Sequence, residues 1–273
     1  MRVHLIDGTY ELFRQHFGSA AHHTDAVPYA ATIGVVASTL QLVNEGATHL
    51  GVASDHVIES FRNDMWAGYK TSAGMDPALL TQIPLMEEAL VSAGFTTWPM
   101  IEYEADDALG AAAAVADADP RVTQVMIVTP DKDLGQCVRG TRVVQYDRRK
   151  GEIVDEAAVT LKFGVGPASI ADYLALVGDS ADGYPGIAGI GAVGAARLLN
   201  RHGAIEAFPP ELLGERREMA LLFKQLATLR SDAKLFRGVG KLRWRGPTAA
   251  FAAWTQRANV PRLLDRCLAL SKG

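Results

Sequence analysis

With 273 residues the chain is long enough for one large domain or a domain with an appended module, and its 48% apolar content suits a buried core. No apolar run approaches the roughly 18 residues of a membrane-crossing helix, and the opening MRVHLIDG reads as a strand in place of a signal peptide, so a cytoplasmic protein is expected. The net charge of −4 conceals two halves of opposite sign, residues 1–183 with 12 Lys+Arg against 25 Asp+Glu (net −13) and residues 184–273 with 15 against 6 (net +9), while Cys137 and Cys267 lack the spacing of a zinc site or disulfide framework.

Residues 2–6 (RVHLI) predict a short buried strand, and 30–45 a helix with apolar spacing near 3.6. A second strand, 48–54, ends at Asp55. The stretch from Phe61 to about Gly74 has no clean period, and 77–94 is predicted helical with Gly94 closing it. A strand at 95–100, an Ala-rich helix at 105–118, and strands at 124–129 and 141–146 follow. This alternation predicts an α/β unit over residues 1–150, with a mostly parallel sheet flanked by helices. Beyond residue 150 only helices are predicted, near 155–163, 167–177, 192–202, 215–231, 248–258 and 260–271. Residues 151–273 are thus read as a C-terminal helical module.

Nine acids fall in five clusters: Asp7; Asp55; Glu104, Asp106 and Asp107; Asp131 and Asp133; and Asp179 and Asp182. Most stand where a predicted strand ends or a helix begins, the rim at which open α/β proteins gather ligand sites. Carboxylates sharing a cleft repel one another, so a standing cluster implies bound hard cations, for which oxygen ligands are suited. Two divalent ions held this way can activate water and neutralise a phosphate. Against this stands the role of Asp as a helix cap and turn residue, which can account for any one of the nine more easily than for all. An acidic half for metals joined to a basic half for a polyanion fits metal-assisted chemistry on nucleic acid; solvated basic helices are the plainer alternative.

Two rival motifs fail on context. LIDGT has Leu5 where an aspartyl-phosphate enzyme needs its nucleophile, and the GxGxxG string at Gly189-Ile-Gly191-Ala-Val-Gly194 follows DGYPGIA, which is no strand. GIAGIG reads better as a tight turn before a helix starting near Ala192, with amides exposed to a phosphate.

The ordered segments IDGTYELFR, SFRNDMWAGYK, YEADDALG, VTPDKDLGQCV and LVGDSADGYPGIAGIGAVGAARLL resemble the 5′-nuclease family, in particular the N-terminal 5′→3′ exonuclease domain of bacterial DNA polymerase I, over about residues 2–230. The resemblance implies a free-standing monomeric nuclease, nucleoid-associated, with a PIN-like α/β core and a helix-three-turn-helix DNA-binding module whose hairpin motif spans about 176–202. It implies two or more Mg²⁺ or Mn²⁺ ions, one group of ligands at Asp7, Asp55, Glu104, Asp106 and Asp107 and another at Asp131, Asp133, Asp179 and Asp182. Lys70, Arg62 and Arg14 are implied at the scissile phosphate, and Tyr69 on an unpaired base. An arch over residues 61–90 would pass the 5′ strand. DNA contacts are expected from Lys132, Gly189, Gly191, Gly194, Arg197, Arg201 and Lys224. Backbone carbonyls of Gly186, Ile187, Gly189 and Ile190 would hold K⁺. The sequence departs from the family pattern after Lys70, where TSAGMDP lacks arginine, and at Ala192-Val193-Gly194, where phosphate grip would rest on backbone. The substrate implied is DNA with a 5′ flap, 5′ end or nick; single-stranded RNA and non-catalytic recognition of branched DNA are the alternatives.

Overall fold

In the computed structural model, which describes residues 1–20 and 29–272, β1 (Arg2–Asp7) runs directly into α1 (Gly8–Ala20), and α2 (Ala30–Asn44) leads to β2 (His49–Asp55). Short α3 (Arg62–Met65) and α4 (Pro77–Leu80) precede α5 (Gln82–Ser92), β3 (Thr96–Met100), α6 (Ala105–Asp117) and β4 (Gln124–Val128). A 3₁₀ turn, Asp133–Cys137, leads to β5 (Val143–Asp147) and β6 (Glu152–Val154). Then come α7 (Glu156–Phe163), α8 (Ile170–Val177), α9 (Ala192–His202), α10 (Pro210–Leu213), α11 (Arg217–Ala227), α12 (Ala250–Arg257) and α13 (Pro261–Leu270).

The sheet order is β3-β2-β1-β4-β5-β6. Its first five strands pair in parallel, and β6 joins antiparallel through Gln145↔Val154 and Tyr146↔Ile153. β6 was not expected, because its three residues are exposed or half-buried and carry no alternating pattern long enough to read. Parallel strands covered on both faces must be apolar throughout, and residues 3–6 of β1 are all buried.

Two apolar layers cover the sheet. One packs Leu12, Val35, Leu40, Met86 and Leu90 from α1, α2 and α5. The other packs Ala108, Leu109, Ala112 and Ala116 of α6 with Val239 and Leu242. A third cluster joins α7 to α11, including Leu174, Leu199, Ile205 and Phe223, to Tyr69 and Val138.

Residues 248–271, expected in the helical module, instead return to the first layer. Phe251, Trp254, Leu263 and Cys267 are buried there with Val35 and Leu40. There Trp254 stacks on Phe251 at 5.7 Å while Tyr29 meets it edge-on at 6.5 Å. The expected arch over 61–90 is corrected likewise. Ile83, Met86, Ala89 and Leu90 of α5 belong to the core, so 82–92 is a wall of the α/β unit, and a compact loop precedes it.

Candidate metal centre

Parallel pairing brings the carboxyl ends of β1, β2 and β4 to one rim, and with them Asp7, Asp55 and the turn bearing Asp131 and Asp133. Asp7 accepts hydrogen bonds from the Tyr10 amide (2.8 Å) and the Thr129 hydroxyl (3.0 Å). Asp55 accepts from the Ala105 amide (2.7 Å), which fixes the start of α6 against the end of β2. A tight loop supplies Asp179 and Asp182, closed by Tyr184 pairing both ways with the Asp179 backbone at 2.8 and 3.0 Å.

Two triads of carboxylates result, Asp106 with Asp131 and Asp133, and Asp133 with Asp179 and Asp182, each with ligand atoms within 4.8 Å of one another. Asp133 belongs to both, and its Oδ1 is buried without a hydrogen-bond partner among the described residues. An orphaned carboxylate oxygen facing four other acids is what a hard-cation site requires, so these residues fit divalent metal ions. The electrostatics agree. Burial, then the charges of Asp55 and Asp131, push Asp7 up to about 7. Asp106 is raised well above the ordinary range by burial and by Asp131 and Asp7, and Asp133 by burial and by Asp131, Asp182 and Asp179. Asp55 and Asp182 are raised by burial against the opposing pull of Lys70.

Two lysines answer part of this charge. The Lys70 ammonium lies 2.8 Å from Glu104 and 2.9 Å from Asp182, and that of Lys132 lies 2.8 Å from Asp179. Burial opposes the Lys70 charge, but Glu104 and Asp182 outweigh it and lift its pKa well above the usual lysine value. Glu104 is lowered in turn, because Lys70, Arg62 and the hydroxyl of Ser60 at 2.6 Å overcome its burial.

Asp107, expected among the ligands, has another place. It is fully buried, accepts both Arg62 guanidinium nitrogens at 2.8 Å, and takes the amides of Glu104 (3.0 Å) and Arg230 (2.8 Å). These four donors occupy both oxygens. Arg62, expected at the phosphate, is itself buried, bonded to Asp107, to the Leu226 carbonyl at 2.8 Å and to that of Thr228 at 3.3 Å. It joins α6 to the end of α11 and orients Glu104, 3.2 Å away. Tyr69 is buried with its hydroxyl donating to Glu104 at 3.3 Å, so no ring face is open for a base. Arg14 reaches Glu11 (2.6 Å) and Ser38 (3.3 Å) and none of the nine acids. Lys224 lies between Asp172 (2.9 Å) and Glu206 (2.7 Å). Ser60 and Thr129, which hold Glu104 and Asp7, were not singled out although both lie inside the quoted motifs; a hydroxyl gives no pattern until its partner is known.

The helical unit meets this centre through the 179–184 loop. The Lys70 amide donates to the Asp182 carbonyl at 2.9 Å and the Trp66 indole to that of Gly183 at 3.1 Å. Gly183 has φ +85, and a Cβ there would stand 2.0 Å from the Gly68 carbonyl oxygen. Further on, GIAGIG forms a turn closed by the Ile190 amide on the Ile187 carbonyl (3.0 Å), with Gly189 at φ +84. Arg216 donates to the Ala188 carbonyl of that turn at 2.8 Å. α9 then begins at Ala192 with Gly191 and Val193 exposed, and Arg197 and Arg201 project from it.

Residues 2–164 match the family model described as 5′-3′ exonuclease, N-terminal resolvase-like domain, and residues 165–250 the one described as 5′-3′ exonuclease, C-terminal SAM fold. The chain is 32% identical over 261 residues to DNA polymerase I of Bacillus caldotenax, covering 89% of this chain and 29% of that protein, so it spans less than a third of that relative. A 5′-3′ exonuclease of Aquifex aeolicus is 33% identical over 207 residues, covering 75% of this chain and 71% of its own. Among solved structures, the bacteriophage T5 5′-exonuclease with divalent zinc superposes with TM-score 0.68 at 17% identity over 100% of this chain and 99% of that one. The T5 D15 flap endonuclease in complex with DNA and metal ions gives TM-score 0.69 at 17% identity, covering 100% of both chains.

Proposed function

The chain belongs to the 5′-3′ exonuclease family, and on that premise we propose that it hydrolyses DNA phosphodiesters next to a junction of single strand and duplex, as an exonuclease on 5′ ends and an endonuclease on 5′ flaps. The observation that carries this reading is Asp133 shared between two carboxylate triads at the sheet rim, with Lys70 and Lys132 against their edges. Divalent cations held there, Mg²⁺ or Mn²⁺, supply Lewis acidity toward the phosphate and acidity to an attacking water.

The residues do the positioning. Lys70, 26% exposed, can exchange a carboxylate for a phosphate oxygen and so draw charge from the scissile group. Arg62, Ser60 and Tyr69 hold Glu104 in one orientation so that it faces the cleft. Asp131, exposed at the rim, is the ligand nearest solvent and the entry point for the cations. On the helical side the turn before α9 offers amides to a duplex phosphate, with Arg197 and Arg201 beside it as contacts that read no sequence. A monovalent cation such as K⁺, held by carbonyls of Gly186, Ile187, Gly189 and Ile190, would stiffen that turn. The α/β unit and the helices through α11 thus act as nuclease core and DNA-binding module of a monomer.

A labelled 5′-flap duplex tests this. Cleavage near the junction is expected with Mg²⁺ or Mn²⁺ and none in EDTA; an intact flap with either metal, or equal cutting in EDTA, refutes it. Replacing K⁺ by Li⁺ should weaken duplex binding if the turn holds a cation.

A further inference from the structure

Between Asp232 and Asp265 the chain has no Asp or Glu, while Lys234, Arg237, Lys241, Arg243, Arg245, Arg257 and Arg262 all fall there. The acids of the whole chain, 31 in 273 residues, would place three or four in such a stretch if spread evenly. The first five of these cations sit on one irregular strap, residues 230–245, which includes a 3₁₀ turn at Val239–Leu242. None of the five makes an ion pair or a side-chain hydrogen bond among the described residues, and all five are exposed. Most other Lys and Arg near the core are paired, Arg62, Lys70, Lys132, Arg139 and Arg142 among them.

The strap has a definite path. At its upper end the Arg230 amide donates to Asp107 (2.8 Å), beside the acid site. It is then pinned by Phe236 stacked on Trp98 at 5.5 Å and by buried Val239 and Leu242. At its lower end the Thr96 hydroxyl donates to the Lys241 carbonyl (2.9 Å), Arg243 bridges to His49, and the Trp244 amide donates to the Thr48 carbonyl (2.9 Å). β2 connects these levels, with His49 at one end and Asp55 at the other, so the strap runs roughly 20 Å from the catalytic rim to the opposite edge of the sheet at ~3.3 Å per residue. Its apolar side chains face inward and its cations outward, so the backbone holds a row of charges in fixed order.

At the upper end lies a cavity of about 700 Å³ lined by Phe61, Met65, Leu221, Thr228 and Arg230 and by Glu206 paired to Lys224 at 2.7 Å. The Arg230 guanidinium covers the rings of Phe61 and Tyr103 at 5.6 and 5.7 Å. Arg230, paired with Asp232 at 2.8 Å, stands at the head of the row of unpaired cations, and an aromatic ring beside a row of phosphate-binding cations suits a single strand.

We propose that residues 230–245 form a track for single-stranded nucleic acid, taking the 5′ strand at the cavity beside Phe61 and Arg230 and leading its phosphates down the side of the sheet along Lys234, Arg237, Lys241, Arg243 and Arg245. This rests on the nuclease reading for the identity of the strand, and the strap explains how a chain without a basic arch holds it: TSAGMDP after Lys70 has no arginine.

The test is fluorescence anisotropy of junction duplexes carrying 5′ tails of few or many nucleotides, in EDTA across a salt series, with the full chain and its K241Q/R243Q/R245Q variant. The expected wild-type slope of log affinity against log salt is steeper for the long tail, and the variant loses about two from that slope, three contacts at ~0.7 each, with about 10–100-fold weaker long-tail binding at low salt. The K234Q/R237Q variant should lose about one. Short-tail binding and short-tail cleavage with Mg²⁺ should stay at the wild-type level. A wild-type slope independent of tail length, or variants that keep it, overturns the track, including the case in which the strap serves an acidic protein. Tail-dependent binding that the variants lose, with no cleavage of any substrate, upholds the track and defeats the nuclease reading; cleavage without tail dependence does the reverse.

Discussion

Asp133 is the carboxylate shared by both triads, and its buried Oδ1 has no hydrogen bond among the described residues. Asp133→Asn should lower cleavage by at least about 100-fold while leaving duplex binding nearly intact, measured by single-turnover kinetics beside anisotropy. The same substitution removes a carboxyl whose pKa burial and neighbouring acids raise, so the melting temperature without metal should hold or rise. Asp7 adds a pH signature. A carboxyl raised from 3.8 to about 7 holds its proton more tightly in the folded chain than in the unfolded one. Its contribution is therefore full below about pH 4 and fades as pH rises to about 7, by at most about 4 kcal/mol. Denaturant unfolding in EDTA should show this loss between about pH 4 and 7 against the background of the other groups, and Mg²⁺ or Mn²⁺ should flatten it. Arg62 is a positioning residue: Arg62→Ala leaves Asp107 buried and uncompensated and should cost about 3–5 kcal/mol of stability.

At the scale of elements, two contacts decide whether the acids from separate segments meet. The 179–184 loop approaches residues 66–70 so closely that Gly183 has no space for a Cβ and a backbone angle that side chains avoid. Gly183→Ala should thus push Asp182 away from Lys70 and reduce cleavage more than it reduces the melting temperature. The second contact is α12 and α13 on the first layer. Trp254→Ala should cost about 3–5 kcal/mol, read by denaturant unfolding, because Trp254 is 2% exposed and stacked on Phe251. That cost is borne by the core under the acid site, although the residue lies far along the chain from any of the acids.

Across the whole molecule, the cations of the basic half divide by the partners they find. Arg197 and Arg201 stand on α9 by the glycine turn, Arg216 and Lys224 are tied to carbonyl and carboxylate partners, and the strap carries five of the cations left without a partner among the described residues. Arg197→Gln with Arg201→Gln should reduce the salt slope of duplex binding by about two without shifting the cleavage position. Much of this was legible in the chain. Strand position, the five acid clusters and the turn before α9 follow from local patterns, since a buried parallel strand must be apolar and a positive-φ turn favours glycine. The role of each acid was not local. Asp106 and Asp107 are adjacent in one helical turn, yet one faces the cleft and the other faces Arg62, and helical geometry alone does not say which side a distant strand or helix will occupy. Nor did the basic residues announce which of them would find partners, because Lys224 meets Glu206 and Asp172 only after the helices pack. The sequence by itself determined the five parallel strands, the family and the acids that can reach the rim; the tertiary structure decided where β6 pairs and which carboxylates share an unanswered charge, because pairing depends on contacts between segments that sequence spacing does not encode.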